Sequence, residues 1–85
     1  MKKCKFKIAM KDGSTKMMDG YLDEITDISL SKHETGGWIA HDHRTGYHIC
    51  AGMTRQEAID RALERYQIFD IRCTPSYKKL QTINP

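Results

Sequence analysis

Gly36-Gly37-Trp38-Ile39-Ala40-His41-Asp42-His43-Arg44-Thr45-Gly46-Tyr47-His48-Ile49-Cys50-Ala51-Gly52-Met53-Thr54-Arg55-Gln56-Glu57-Ala58 is the stretch on which the fold turns. Two glycines break the chain, an apolar-rich segment follows, Arg44-Thr45-Gly46 turns it back, and a second segment of like length returns, which is the pattern of a β-hairpin. Thr54 and Glu57 then stand three residues apart ahead of Ala58 and Ile59. That is a capping box, in which the hydroxyl and the carboxylate each satisfy a backbone N–H left open at a helix start. The helix is expected from Arg55, with Ala58, Ile59, Ala62, Leu63, Tyr66 and Phe69 as its apolar stripe and Glu57 and Arg61 paired four apart on the wet side.

For the hairpin, a loop of even length centred on Thr45-Gly46 places Trp38, Ala40, Tyr47, Ile49 and Ala51 on one face. His41, His43, His48 and Cys50 then share the other. One face is apolar and the other polar, as expected of a sheet with one buried side.

Working outward toward the amino end, Cys4, Phe6, Ile8 and Met10 alternate with Lys3, Lys5, Lys7 and Ala9, which predicts a strand with one buried face. Asp12-Gly13 suits a turn, and Thr15 to Tyr21 returns as the second strand of a hairpin. Residues 22–33 carry both periods, with Leu22, Ile25 and Ile28 three apart but Ile28 and Leu30 two apart; a short turn and then a strand is the preferred reading. Toward the carboxyl end, Ile71 to Thr74 is expected as a last edge strand and residues 76–85 as a flexible tail. The sequence therefore predicts a single α+β domain over residues 1–75, a mainly antiparallel sheet of four to five strands packed on one helix in ββ-β-ββ-α order.

Eighty-five residues with 39% apolar and 29% charged side chains fit a folded chain and leave little volume for a deep cleft. The alternating lysines at the start lack the apolar run of a signal peptide, and no segment approaches the roughly 20 apolar residues of a membrane span. Cys4, Cys50 and Cys73 lack paired spacing, so the expected compartment is the cytoplasm, with reduced thiols. The net charge is +3, with six lysines among residues 1–18 and four acids, Asp19, Asp23, Glu24 and Asp27, just after them.

Three constellations bear on function. Lys3, Lys5 and Lys7 form a ladder at about 7 Å intervals, which can meet an acidic protein or the phosphates of a nucleic acid, and which also guards a strand edge against aggregation. His41, His43 and His48 form a polar hairpin face, and adding Cys50 gives four zinc- or copper-type ligands. Flat strands hold such groups on parallel vectors rather than converging them, so neither a metal nor any cofactor is expected. Phosphate loops, metalloprotease signatures and nucleophile elbows are missing from the sequence, and the expectation is a protein without catalytic activity.

The order strand, turn glycine, strand and Gly52-Met53-Thr54-Arg55-Gln56-Glu57-Ala58 helix start resembles the HicB-type antitoxin domain, and it looks like small prophage accessory proteins, over residues 37–69. The resemblance implies a sheet-and-helix module that binds a partner protein or RNA and has no catalytic centre. The expected function is a small phage- or prophage-type regulator or inhibitor that binds a protein partner through Lys3, Lys5, Lys7, His41, His43 and His48. Nucleic-acid binding and antitoxin-like pairing with a toxin are the alternatives, and an unpaired sheet edge offers a homodimer contact.

Overall fold

The computed structural model describes residues 1–69 and 71–84, with the side chains of Phe69 and Ile71 outside that description. Alternation of lysine with apolar residues yields β1 (Lys2–Ala9), which pairs antiparallel with β2 (Thr15–Asp23) from Lys2 opposite Leu22 to Ala9 opposite Thr15. The turn between them is fixed by Asp12, whose Oδ1 accepts the Ser14 N–H at 2.9 Å, and by Gly13 at φ 87°. Residues 22–33 resolve as turn and strand. Asp23 accepts bonds from the Ile25 N–H and the Thr26 hydroxyl, Asp27 takes φ 57°, and β3 (Ile28–Lys32) follows. β4 (Trp38–Asp42) and β5 (His48–Gly52) complete a five-stranded antiparallel sheet in the order β1-β2-β3-β4-β5. The α+β class and the order of elements agree with the sequence reading.

The helix face of the sheet carries Ile28, Leu30, Ala40 and Cys50, closed by Ala58, Ile59 and Ala62 of α1 (Arg55–Phe69). Helix entry uses the threonine half of the capping box, Thr54 Oγ1 accepting the Glu57 N–H at 3.1 Å, while the Glu57 carboxylate pairs with Arg61 at 2.7 Å instead of returning to the cap. Leu63, expected in the apolar stripe, is 39% exposed, and Phe69 of that stripe lies outside the described side chains.

The even-loop register of the second hairpin is corrected. Ala40 lies opposite Cys50 and His41 opposite His48, so Ile49 is the extra residue of a β-bulge. Cys50 therefore faces the helix, with its Sγ 3.4 Å from the Ala58 carbonyl oxygen, and it does not join the histidines. An even loop presupposes a solvated second face, and that face is also covered. The sheet curls until Phe6 of β1 meets the rings of His41 and His43, at 5.8 and 6.4 Å between centroids, and the Ala9 N–H reaches the Gly46 carbonyl at 2.9 Å. Ser29 and Ser31 are as buried as Ile28 and Leu30 on the opposite side of the same strand.

Gly20 permits this closure, since a Cβ there would lie 1.9 Å from the Leu30 carbonyl oxygen and 2.9 Å from the Phe6 ring.

The carboxyl-terminal residues also differ from expectation. Ile71–Cys73 is a 3₁₀ turn in place of an edge strand, and α2 (Pro75–Lys78), capped by Thr74, leads into a docked strap in place of a loose tail. Arg44 donates to the Tyr77 and Leu80 carbonyls, each at 2.7 Å, and the Ile83 N–H donates to the Arg44 carbonyl at 2.8 Å. Asn84 closes the strap: its amide takes the Lys7 N–H at 2.8 Å and gives to the Lys7 and His43 carbonyls at 2.7 and 2.8 Å. These bonds lie far apart in sequence, so no local pattern announces them. Among the described residues, no helix is long and apolar enough to cross a membrane.

Candidate functional site

β1 presents Lys3, Lys5 and Lys7 to solvent, opposite Tyr21, Asp19 and Met17 of β2. The three ammonium stems stand at about 7 Å intervals on one face. β1 is the terminal strand of the sheet, and its outer edge is closed only in part. The Lys7 backbone is taken by Asn84 and the Ala9 N–H by Gly46. By the period-two rule the N–H and C=O groups of Lys3 and Lys5 point the same way as those of Lys7. That end of the strand carries positive charge and, among the described residues, main-chain groups that no hydrogen bond closes.

The histidines do not form the exposed polar face expected of them. Of the three, His41 and His43 are buried, at 4% and 6% exposure, and His48 is exposed. His41 Nε2 lies 3.1 Å from the Ser31 hydroxyl, and its ring centre is 6.1 Å from that of His48. Burial, reinforced by the neighbouring His48, lowers the His41 pKa to about 4. Among the described residues, the Nδ1 atoms of His41 and His43 and the Ser29 hydroxyl are buried without a hydrogen-bond partner. Among the described residues no group of three or more His, Cys, Asp or Glu side chains is placed to hold a metal ion, and Cys50 faces away from the histidines. The structure thus separates the six residues named from sequence: the lysines share one strand, His41 and His43 are interior, and His48 sits on the opposite terminal strand.

Sequence reading missed the polar centre of the molecule, Asp42, which is 3% exposed. Its Oδ1 accepts from the Tyr66 hydroxyl at 2.6 Å and from Arg72 Nη2 and Nε at 2.9 and 3.1 Å. Its Oδ2 accepts from the Thr45 hydroxyl and N–H at 2.7 and 3.1 Å, and the Tyr77 hydroxyl lies 2.9 Å away. Burial alone would raise the Asp42 pKa, but the hydrogen bonds from Tyr66, Thr45, Arg72 and Tyr77 outweigh it and hold the carboxyl below its ordinary value. Tyr66 is pushed the other way, by burial and by its bond to the Asp42 carboxylate. Arg72 also donates to the Thr26 and Asp27 carbonyls at 2.6 and 2.9 Å, which ties the β2–β3 turn to the same centre. A carboxylate occupied by this many donors is a structural anchor, without the spare lone pairs that a general base would offer a substrate. The only sequence signal for it was an acid set between two histidines in an apolar strand.

Compared with known protein families, curated proteins and solved structures, the chain matches none.

Proposed function

We propose that this chain is a small non-catalytic binding protein, a regulator or inhibitor of the kind phages and prophages carry, and that it acts in the cytoplasm on a partner protein. The observation that carries this reading is the amino-terminal half of β1, where Lys3 and Lys5 combine exposed ammonium groups with an open main-chain edge. An acidic extended segment of a partner can add to such an edge through main-chain hydrogen bonds, with the lysines selecting its charge. The histidines leave this reading except for His48, because buried rings cannot touch a partner. The antitoxin-like alternative, carried by the resemblance over residues 37–69, is the same reading with a toxin as the partner.

A nucleic-acid reading is favoured by one observation, the spacing of the three exposed lysines along β1. One experiment separates the two. Cytosolic extract is passed over the immobilised wild-type protein and over Lys3→Glu/Lys5→Glu, with and without nuclease. A protein retained by the wild type, lost in the double variant and indifferent to nuclease supports the partner-protein reading. Retention abolished by nuclease transfers the function to nucleic acid, and retention equal on both columns removes β1 from the function altogether.

A further inference from the structure

Between the exposed side of β5, the last turns of α1 and the strap lies a half-enclosed cavity of about 270 Å³. Its walls include Tyr47, Ile49, Tyr66, Tyr77 and Leu80, with Arg65 and the imidazole of His48 at the lining. At about 30 Å³ per water, this is room for about nine waters, or for one six-membered ring with a short substituent.

The inner polar groups have nothing left to offer a ligand. Asp42 is saturated and its charge is met by Arg72 at 2.9 Å, Thr45 gives its hydroxyl to Asp42, and the Tyr66 and Tyr77 hydroxyls both point to the same carboxylate. The interior wall is in effect apolar, and it is held in shape before any ligand arrives: Arg72 stacks on Tyr66 at 4.1 Å and Arg44 on Tyr77 at 4.4 Å. Among the described residues, the lining keeps one guanidinium outside any ion pair, that of Arg65, with the His48 imidazole also on the wall. Arg65 has no carboxylate within ion-pair distance among the described residues, whereas Arg61, one turn earlier, is paired with Glu57.

A largely apolar, preformed pocket whose lining offers a guanidinium and an imidazole, the guanidinium without an ion pair among the described residues, defines a ligand class. We propose that this cavity binds a small ring compound bearing a single carboxylate, the ring seated against Ile49, Leu80 and the tyrosines and the carboxylate on Arg65. This site is separate from the β1 edge and independent of it.

The test is an amide chemical-shift titration of the full chain with 3-phenylpropionate and, at the same concentrations, with 2-phenylethylamine. Saturable shifts centred on Ile49, Tyr66 and Leu80 are expected with the acid. Arg65→Gln should weaken binding about three- to fivefold, the worth of a partly exposed ion pair. Arg61→Gln, outside the cavity, should leave it unchanged. Equal binding of the amine, equal affinity in Arg65→Gln, shifts centred elsewhere or no saturation would each overturn the proposal.

Discussion

Asn84 holds Lys7 by both of its main-chain groups, accepting the N–H at 2.8 Å and donating to the carbonyl at 2.7 Å, so a side-chain amide takes the place of a sixth strand for one residue. The same amide nitrogen reaches the His43 carbonyl. Asn84→Ala should therefore release the strap from β1 and leave buried main-chain groups unpaired. We expect a loss of about 1–3 kcal/mol. A thermal melt should show a drop of roughly 4–8 °C per kcal/mol for a domain of this size. Hydrogen exchange gives the local check: the Lys7 amide should lose protection before the amides of β3 do.

Asp42→Ala removes the acceptor from Tyr66, Thr45, Tyr77 and Arg72 together. Removing one partner of a buried pair leaves the other charge uncompensated, at a cost of about 3–5 kcal/mol. Arg72 is partly exposed, so the lower end applies. Asp42→Asn keeps the shape and one acceptor oxygen and should cost less. Urea unfolding followed by circular dichroism ranks the three proteins, and an Asp42→Ala midpoint equal to wild type would show the network to be dispensable.

Acid should loosen the fold in two steps. His41 binds a proton near its ordinary pKa of 6.5 when unfolded but only at about 4 when folded. The unfolded chain thus binds more protons between these values, and stability falls as pH drops from 6.5 to 4 and levels off below. This step amounts to about 3 kcal/mol at most. Asp42 acts in the same direction at lower pH, because its folded pKa lies below the ordinary 3.8 and its contribution is lost as pH falls through that depressed value. Proton NMR of the His41 ring provides the direct measurement. A midpoint near 6.5 in the folded protein would remove the first step.

Gly20→Ala tests the curl of the sheet. The added methyl meets a backbone oxygen, which cannot rotate aside, and then the Phe6 ring. The expected cost is about 3 kcal/mol or more, at the upper end for overpacking. Proton NMR should show the ring-current shifts between Phe6 and the His41 and His43 rings lost as Phe6 leaves them. Wild-type spectra and stability in this variant would mean that β1 does not close over the sheet.

Most of the fold was legible because local rules carry it. The Lys-apolar alternation gave β1, Asp12-Gly13 gave its turn, and Thr54 gave the start of α1. The register of β4 and β5 was not, because the argument from one wet face fails where β1 covers the second face, and because the bulge at Ile49 shifts the phase by one residue. The lysine ladder could be placed from sequence since it depends only on period two. The histidines could not, as their burial depends on Phe6, 35 or more positions away in the chain. The Asp42 centre and the strap were invisible for the same reason: Thr45, Tyr66, Arg72 and Tyr77 meet one carboxylate only after the sheet, the helix and the strap have assembled.

The contact between Lys7 and Asn84 spans 77 positions of the chain. Protein synthesis runs from the amino end, so β1 leaves the ribosome long before the residue that clamps it. At a translation rate of 5 to 20 residues per second the gap is roughly 4 to 15 s. Until Asn84 is made, the Lys7 part of that outer edge lacks the clamp it has in the folded chain, although Gly46, which takes the Ala9 N–H, is already synthesised. Docking of Asn84 then narrows the open main-chain edge of β1 to Lys3 and Lys5.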